Sequence, residues 1–255
     1  YPFTMINRTC FLVASIAILA ACQHSSHQSP TAKEILDRTI AHYGGDDFFH
    51  TEISFEVGDL QYELKRDGHL TDFTVARNVD STLLIGRYRN GYQEYFIDGV
   101  KQEEGTYSLR ILNAKLDGFT YTFSFPYVLR QNAILLDRKD DQVIRGTNYL
   151  VVHASSRPIE GEPQDEVYLY IEPESYEIHY TAEQLTATGS NPIFKRYHNL
   201  RRVDSFLFAD YYSFARPDTL TALQDMYKGF QNATLRSLQQ VELENISVKL
   251  NNPDG

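Results

Sequence analysis

Cys22 is the residue whose surroundings point most directly to a chemical role, because it follows a leucine and two alanines. A cysteine in this setting is typical of a bacterial lipoprotein, in which cleavage occurs just before the cysteine and the thiol carries the lipid. Upstream, Arg8 gives a short basic region and residues 11–20 are apolar, as in a signal segment. About ten apolar residues are too few to span a bilayer. The sequence therefore predicts lipid attachment at Cys22.

The position of Cys22 divides the chain into three segments. Residues 1–21 are predicted to form a signal segment that is removed. Residues 22–30 are predicted to form the lipidated end and a flexible polar tether. Residues 31–255 are predicted to form one folded domain. Cys10 lies in the segment that is removed, so the folded domain is expected to have no second thiol for a disulfide or a cysteine-ligated metal.

Three polar residues near the end of the chain, Asn199, Arg201 and Asp210, form a second group of interest. Two strands joined by a tight turn would bring Arg201 beside Asp210, and a guanidinium next to a carboxylate forms a charge-assisted pair. Two interpretations stay open. The pair either holds the turn as a structural contact, or it forms a polar mouth that recognises a head group or a carboxylate.

The sequence lacks the common catalytic and metal-binding patterns. His153, His179 and His198 fall on separate predicted strands, without the converging ligands that a zinc site needs. Asp165 and Glu166 are adjacent, and neighbours on a strand point to opposite faces, so they cannot act as a facing carboxylate pair. A Gly-x-Ser-x-Gly turn and a phosphate-binding loop are also missing. We therefore predict no catalytic residue, no metal and no cofactor.

The charge balance restricts the partners that the protein can bind. The chain has 24 basic and 34 acidic residues, which gives a formal net charge of −10. Binding of nucleic acid needs a basic surface, so a nucleic-acid partner is not expected. A polybasic contact with anionic lipid is also disfavoured, and the lipid on Cys22 is expected to provide the membrane anchor.

The first elements of the folded domain have clear local signals. Thr31 and Glu34 are spaced as a capping box at the start of a helix predicted over residues 31–43. Tyrosine and phenylalanine, with 18 and 15 copies, favour half-buried strands in the part that follows. Three Asx-Gly pairs predict hairpin turns between strands. They lie at residues 67–68, 90–91 and 98–99.

The middle and the end of the chain combine further strands with two more helices. Apolar residues at helical spacing predict a helix over residues 107–125 that covers a sheet face as a lid. A third helix is predicted over residues 218–230, and a last strand over residues 241–250. The strands before that helix include those predicted at residues 192–199, 201–208 and 211–216. The predicted fold is mainly β (α+β): one large curved antiparallel sheet that forms an unclosed half-barrel with a helical lid.

This order of elements resembles the lipoprotein carrier and receptor fold of the Lol outer-membrane sorting system. That resemblance implies an apolar cavity for acyl chains between sheet and lid. The sequence also resembles an uncharacterised family of Bacteroidota lipoproteins, which has no established activity. The segments that carry this second resemblance are residues 41–45, 125–129, 165–170, 197–201 and 208–212.

Apolar and aromatic residues alternate along many of the predicted strands, and two interpretations of this pattern stay open. The apolar face either packs as a filled core or lines a hollow for an apolar ligand. Tyrosines in such a lining would suit an amphiphile. The candidate cavity residues are Phe55, Tyr62, Phe73, Tyr95, Leu112, Leu116, Phe119, Tyr168 and Phe206.

The function predicted from the sequence is that of a non-catalytic lipoprotein that binds or carries a lipid, an acylated protein or another amphiphile. Two alternatives stay open. One is a structural or interaction lipoprotein of an envelope complex with a self-filled barrel, and the other is an envelope hydrolase. Gln23 is not the aspartate that retains lipoproteins at the inner membrane of enterobacteria. We therefore expect an anchor in the outer membrane, with the domain facing the periplasm.

Overall fold

The computed structural model describes residues 29–68, 70–103, 123–161, 164–186, 191–216 and 221–251. Within these ranges the strands form two antiparallel sheets of seven strands each. Neither sheet closes into a barrel in the described part of the chain. The prediction of a mainly β, antiparallel and unclosed fold is confirmed, and the strands are divided between two hydrogen-bonded sheets.

The first sheet contains the strands β1 (Thr51–Val57), β2 (Leu60–Asp67), β3 (Leu70–Val79), β4 (Thr82–Arg89), β5 (Tyr92–Ile97), β6 (Val100–Gln102) and β14 (Glu244–Leu250). Their order across the sheet is β14-β1-β2-β3-β4-β5-β6. The three predicted Asx-Gly turns are confirmed, and they join β2 to β3, β4 to β5 and β5 to β6. At one of them, Asn90 and Gly91 have φ angles of 48° and 93°, as a tight hairpin turn requires.

The second sheet contains the strands β7 (Ile134–Ile144), β8 (Thr147–Ser156), β9 (Glu166–Ile171), β10 (Ile178–Gln184), β11 (Ile193–Val203), β12 (Phe206–Ala215) and β13 (Arg236–Val241). Their order across the sheet is β13-β12-β11-β10-β9-β8-β7. Because β13 and β14 are separated by residues 242–243 alone, the chain passes directly from the edge of the second sheet to the edge of the first.

The helices of the described residues are short. They are α1 (Ala32–Tyr43), α2 (Met226–Gln231) and the 3-10 helices Gly45–His50, Tyr127–Arg130 and Leu223–Asp225. The predicted capping box of α1 is confirmed, because the Glu34 amide donates to Thr31 Oγ1 and the Thr31 amide donates to Glu34 Oε2. No helix in the described ranges has the length and apolar character needed to cross a membrane.

Two hydrophobic clusters form the core. The first cluster lies between the two sheets and includes one face of α1, with Ile35, Leu36 and Ile40. The second cluster covers the opposite face of the second sheet, where Met226 and Phe230 of α2 pack against it. The second sheet is thus buried on both faces, whereas the first sheet contributes to a cluster on one face only.

Several predicted boundaries are wrong. The strands predicted at residues 201–208 and 211–216 are parts of β11 and β12, which meet at a turn at Asp204 with a φ of 52°. The last predicted strand, residues 241–250, is divided between the end of β13 and β14. Of the helix predicted over residues 218–230, the described part contains a 3-10 turn followed by α2.

The predicted lid helix, residues 107–125, lies outside the described residues apart from residues 123–125. Its predicted cavity residues Leu112, Leu116 and Phe119 therefore lie outside them as well. The same holds for the predicted signal segment and for Cys22. These assignments stay predictions.

Candidate functional site

An apolar cavity of about 80 Å³ lies within the first hydrophobic cluster. Its wall comes from both sheets, from the end of α1 and from residues 123–127. Nine of the fourteen described residues in the wall are aromatic, and none of the fourteen carries a charge. They are Tyr43, Phe48, Ile53, Phe123, Phe125, Tyr127, Ile178, Tyr197, Phe206, Leu207, Phe208, Ala209, Tyr211 and Leu243.

The turn after α1 brings the backbone close to this wall. Gly44 ends the helix with a φ of 132°, a conformation that residues with a side chain rarely adopt. A Cβ at this position would lie 2.5 Å from Cδ1 of Phe206. Glycine is therefore needed both for its conformation and for the space, and the close approach places Tyr43 beside Phe206 in the cavity wall.

The aromatic side chains of the wall hold one another in place. The rings of Phe48 and Tyr127 are stacked in parallel, with centroids 3.8 Å apart. The Tyr127 hydroxyl donates to the carbonyl oxygen of Tyr43 at 2.7 Å, and the Ile178 amide donates to the Tyr43 hydroxyl at 3.2 Å. Burial raises the pKa of Tyr43 and of Tyr127 well above the ordinary value. Both phenols are therefore neutral, and the two tyrosines add no charge to the cavity wall.

A buried ion pair lies next to the cavity. Lys195 of β11 and Glu183 of β10 form a salt bridge, and their side chains are only 8% and 4% exposed. The Lys195 Nζ lies 5.0 Å from the centroid of the Tyr211 ring, which itself lines the cavity. The strand register places Lys195 opposite Thr181, which is fully buried. A charged pair is thus enclosed among residues of an apolar interior.

The environment of this pair determines its protonation. Burial alone lowers the pKa of Lys195, but the Glu183 carboxylate and the phenols of Tyr197 and Tyr211 outweigh it, and the pKa is raised. For Tyr197, burial is the main cause that raises the pKa, to about 12, although Lys195 acts in the opposite direction. Lys195 is therefore a cation and Tyr197 a neutral phenol at neutral pH.

The structure brings Asn199, Arg201 and Asp210 together. Asp210 accepts hydrogen bonds from Asn199 Nδ2 at 2.6 Å, from Arg201 at 3.0 Å and from the Leu243 amide at 2.9 Å. Burial raises the pKa of the Asp210 carboxyl, but these three donors outweigh it, and the pKa lies below the ordinary value. Because Leu243 lies between β13 and β14, the group fastens β12 to the segment that links the sheets. A role as a polar mouth stays a prediction.

The predicted cavity residues have different positions in the structure. Phe206 lines the cavity. Phe55, Tyr62, Phe73 and Tyr95 lie in the first cluster without being part of the described cavity wall.

Tyr168 lies in the second cluster, away from the cavity. Its neighbours Val167 and Leu169 belong to the first cluster, and adjacent strand residues point to opposite faces of a sheet. Sequence reasoning did not find Tyr43, Phe48 and Tyr127, because it considered the strands and the predicted lid helix, whereas these residues occupy the end of α1 and 3-10 helices.

Metal binding has no support in the described residues, which contain no group of three histidine, cysteine, aspartate or glutamate side chains placed to hold an ion. His153 illustrates this. It stacks on Tyr168 with centroids 4.4 Å apart, and burial is the main cause that lowers its pKa. The His153 ring therefore packs against Tyr168, its partner on the neighbouring strand.

The fold and the cavity define a mainly β domain in which two open antiparallel sheets enclose an apolar interior. The chain belongs to a family of unknown function, DUF6503, whose pattern matches residues 9–243. The resemblance to an uncharacterised family is thereby confirmed. A comparison with curated proteins finds no match.

The solved structures that are similar to this chain include the following two. One is a protein domain named for outer membrane lipoprotein sorting, from Vibrio parahaemolyticus, with 9% identity and a TM-score of 0.46 over 85% of this chain and 91% of that chain. The other is a DUF1329 family protein from Desulfovibrio piger ATCC 29098, with 7% identity and a TM-score of 0.46 over 88% of this chain and 95% of that chain. At these identities the similarity concerns the fold alone.

Proposed function

We propose that this protein is a non-catalytic lipoprotein of the cell envelope whose cavity binds the acyl part of an amphiphile. The observation that carries the proposal is the cavity itself, because its wall is uncharged and largely aromatic. Transfer of apolar surface from water into such a site is favourable, at about 25 cal/mol per Å². The ligand would be a lipid, an acylated protein or another molecule with an acyl chain.

The size of the cavity restricts what it can hold. Pockets for drug-sized ligands typically have volumes of roughly 300–1,000 Å³. The present cavity, at about 80 Å³, is much smaller. We therefore propose that it receives a segment of one acyl chain, with the remainder of the ligand outside it.

The anchor is a separate part of the proposal. Lipid on Cys22 would hold the domain at the outer membrane, facing the periplasm, through a polar tether. Metabolic labelling with a radioactive fatty acid tests this part. The parent chain should take up label and a Cys22→Ser variant should not, and label on that variant would exclude Cys22 as the attachment site.

An environment-sensitive fatty-acid probe tests the cavity. Ala209 lines the cavity, so an Ala209→Trp variant should fill it and bind the probe at least tenfold more weakly than the parent. Ala133 is exposed just before β7, and an Ala133→Trp variant serves as the matched control with unchanged binding.

The same variants distinguish a ligand site from a self-filled barrel. In a self-filled barrel, the tryptophan at position 209 would overpack the core and cost roughly 1–3 kcal/mol of unfolding free energy. The parent would also fail to bind the probe. That combination would exclude the proposed binding function and favour a structural or interaction role.

A further inference from the structure

Two tyrosines of the cavity wall lie in front of a buried ion pair. Tyr197 and Tyr211 both line the cavity and face each other across β11 and β12, with ring centroids 5.9 Å apart. Lys195 lies two residues before Tyr197, and its ammonium is 5.0 Å from the Tyr211 ring centroid. The ammonium and its partner Glu183 therefore lie directly behind this part of the wall.

The fold has no evident need for charges at this position. Leu169 of β9 lies opposite Thr181 in the register, and Leu169 belongs to the apolar first cluster. Replacement of a buried ion pair by apolar residues of similar volume is often neutral or stabilising, so such a pair is weak evidence for a structural role. Because the pair is costly to bury and lies beside a cavity, it is a candidate for contact with a ligand.

The charges of the pair restrict the polar group that it can accept. Lys195 and Glu183 neutralise each other, so a ligand carboxylate would add an uncompensated negative charge to a buried site. A carbonyl group carries no net charge and accepts hydrogen bonds from phenols or from an ammonium. The Tyr43 hydroxyl also lies in the wall, and because it accepts from the Ile178 amide its own proton can be donated to such a carbonyl.

We infer that the part of the cavity wall formed by Tyr197 and Tyr211, with the Lys195–Glu183 pair behind it, binds the carbonyl of an ester-linked or amide-linked acyl chain in preference to a free fatty acid. This inference rests on the proposed function and names the ligand class of the same cavity. The raised pKa of the tyrosines agrees with it, because their phenols keep the proton that a carbonyl accepts.

Displacement of the bound fatty-acid probe at pH 8 by three competitors tests the inference. They are methyl dodecanoate, dodecanoate and tridecane, which have chains of similar length and different polar ends. The proteins are the parent, a Lys195→Met/Glu183→Leu double variant and a Lys65→Met/Glu63→Leu control. The control removes an ion pair whose side chains are both 47% exposed in the first sheet.

Methyl dodecanoate should lose about tenfold in affinity in the double variant at positions 183 and 195, whereas tridecane should change by less than twofold. In the parent, dodecanoate should bind several-fold more weakly than the ester. The control variant should behave as the parent. A Tyr211→Phe variant keeps the ring and removes the hydroxyl, and its affinity should fall several-fold for the ester alone. If the double variant does not fold, the Tyr211→Phe variant tests the inference by itself.

Two results would overturn the inference and leave the proposed function intact. One is an ester affinity that is unchanged in both the double variant and Tyr211→Phe, and the other is binding of dodecanoate in the parent that is as tight as that of the ester or tighter. Failure of the parent to bind either the probe or methyl dodecanoate would overturn the proposed function together with the inference.

Discussion

The two sheets of this protein have the same number of strands but different surroundings. In β2 of the first sheet, Leu60, Tyr62 and Leu64 are buried, while Gln61 between them and Lys65 after them are exposed. In β9 of the second sheet, five consecutive residues are buried. The difference arises because α2 and the second cluster cover the outer face of the second sheet, so that this sheet is buried on both faces. The first sheet keeps one face in contact with solvent.

Two ion pairs illustrate the same difference. The Lys65–Glu63 pair of the first sheet has side chains that are 47% exposed, whereas those of Lys195 and Glu183 in the second sheet are 8% and 4% exposed. Exposed pairs contribute roughly 0–1 kcal/mol, because water screens them and their side chains lose entropy. Removal of one partner from a buried pair leaves an uncompensated charge.

The largest expected effect comes from removal of one buried charge. Glu183→Gln should lower the unfolding free energy by roughly 3–5 kcal/mol, because the Lys195 ammonium stays buried without a counter-charge. Without Glu183, burial lowers the pKa of Lys195 in the folded state below the ordinary 10.5. The loss should therefore be greatest at low and neutral pH and should shrink as the pH rises towards that value.

Chemical denaturation at pH 7 and pH 9.5 measures both effects. The matched variant in the first sheet is Glu63→Gln, which should change stability by less than about 1 kcal/mol. Equal effects of the two variants would mean that the second sheet does not enclose its ion pair more tightly than the first.

A smaller effect is expected at the junction of the sheets. Asp210→Asn should cost roughly 1.5–3 kcal/mol at pH 7, because three donors lose a charged acceptor. The folded-state pKa of Asp210 lies below the ordinary 3.8, so its contribution is present above that pH and is lost as the pH falls through the folded-state pKa.

Urea denaturation between pH 7 and pH 2.5 tests this expectation. The difference between parent and Asp210→Asn should shrink on the acid side. Asp59→Asn, in the turn between β1 and β2, is the comparison, because Asp59 pairs with Arg77 and its side chain is 61% exposed. A parent–variant difference at position 210 that is constant with pH would show that the charge of Asp210 does not contribute to stability.

The smallest expected effect lies at the start of α1, which packs against the second sheet. Thr31→Ala should lower stability by about 1 kcal/mol, because the Glu34 amide loses its acceptor. Thr31→Ser keeps the hydroxyl and should retain most of the stability. Thermal unfolding of both variants provides the measurement, and an equal loss in the two would assign the effect to the threonine methyl group instead of the cap.

Much of the first part of the fold could be predicted because its signals are local. The capping box of α1 and the Asx-Gly turns each depend on residues within a few positions of one another. The end of β11 was more difficult to predict from the sequence. Asn199, with a φ of 51°, suggests a turn, but it lies at a bulge inside the strand, while the turn itself falls at Asp204 without a glycine.

The candidate site was harder to predict than the fold. Phe206 could be found because it alternates along a strand, but Tyr43 and Tyr127 reach the cavity from helical turns. The Lys195–Glu183 pair depends on the register of β10 and β11, which sets Thr181 opposite Lys195. The register depends on how two strands pair, so the residue pattern within either strand alone does not predict it.

The passage of the chain from β13 to β14 also affects the order in which the protein can fold. Strand β1 pairs with β14, and Thr51 Oγ1 donates to the carbonyl oxygen of Lys249, 198 positions later. During synthesis, β1 is therefore made long before its partner, and until then its edge is open to strands of other chains. Contacts between such distant residues also slow folding. The last strand of the first sheet thus closes an edge that is at risk of aggregation throughout synthesis of the intervening chain.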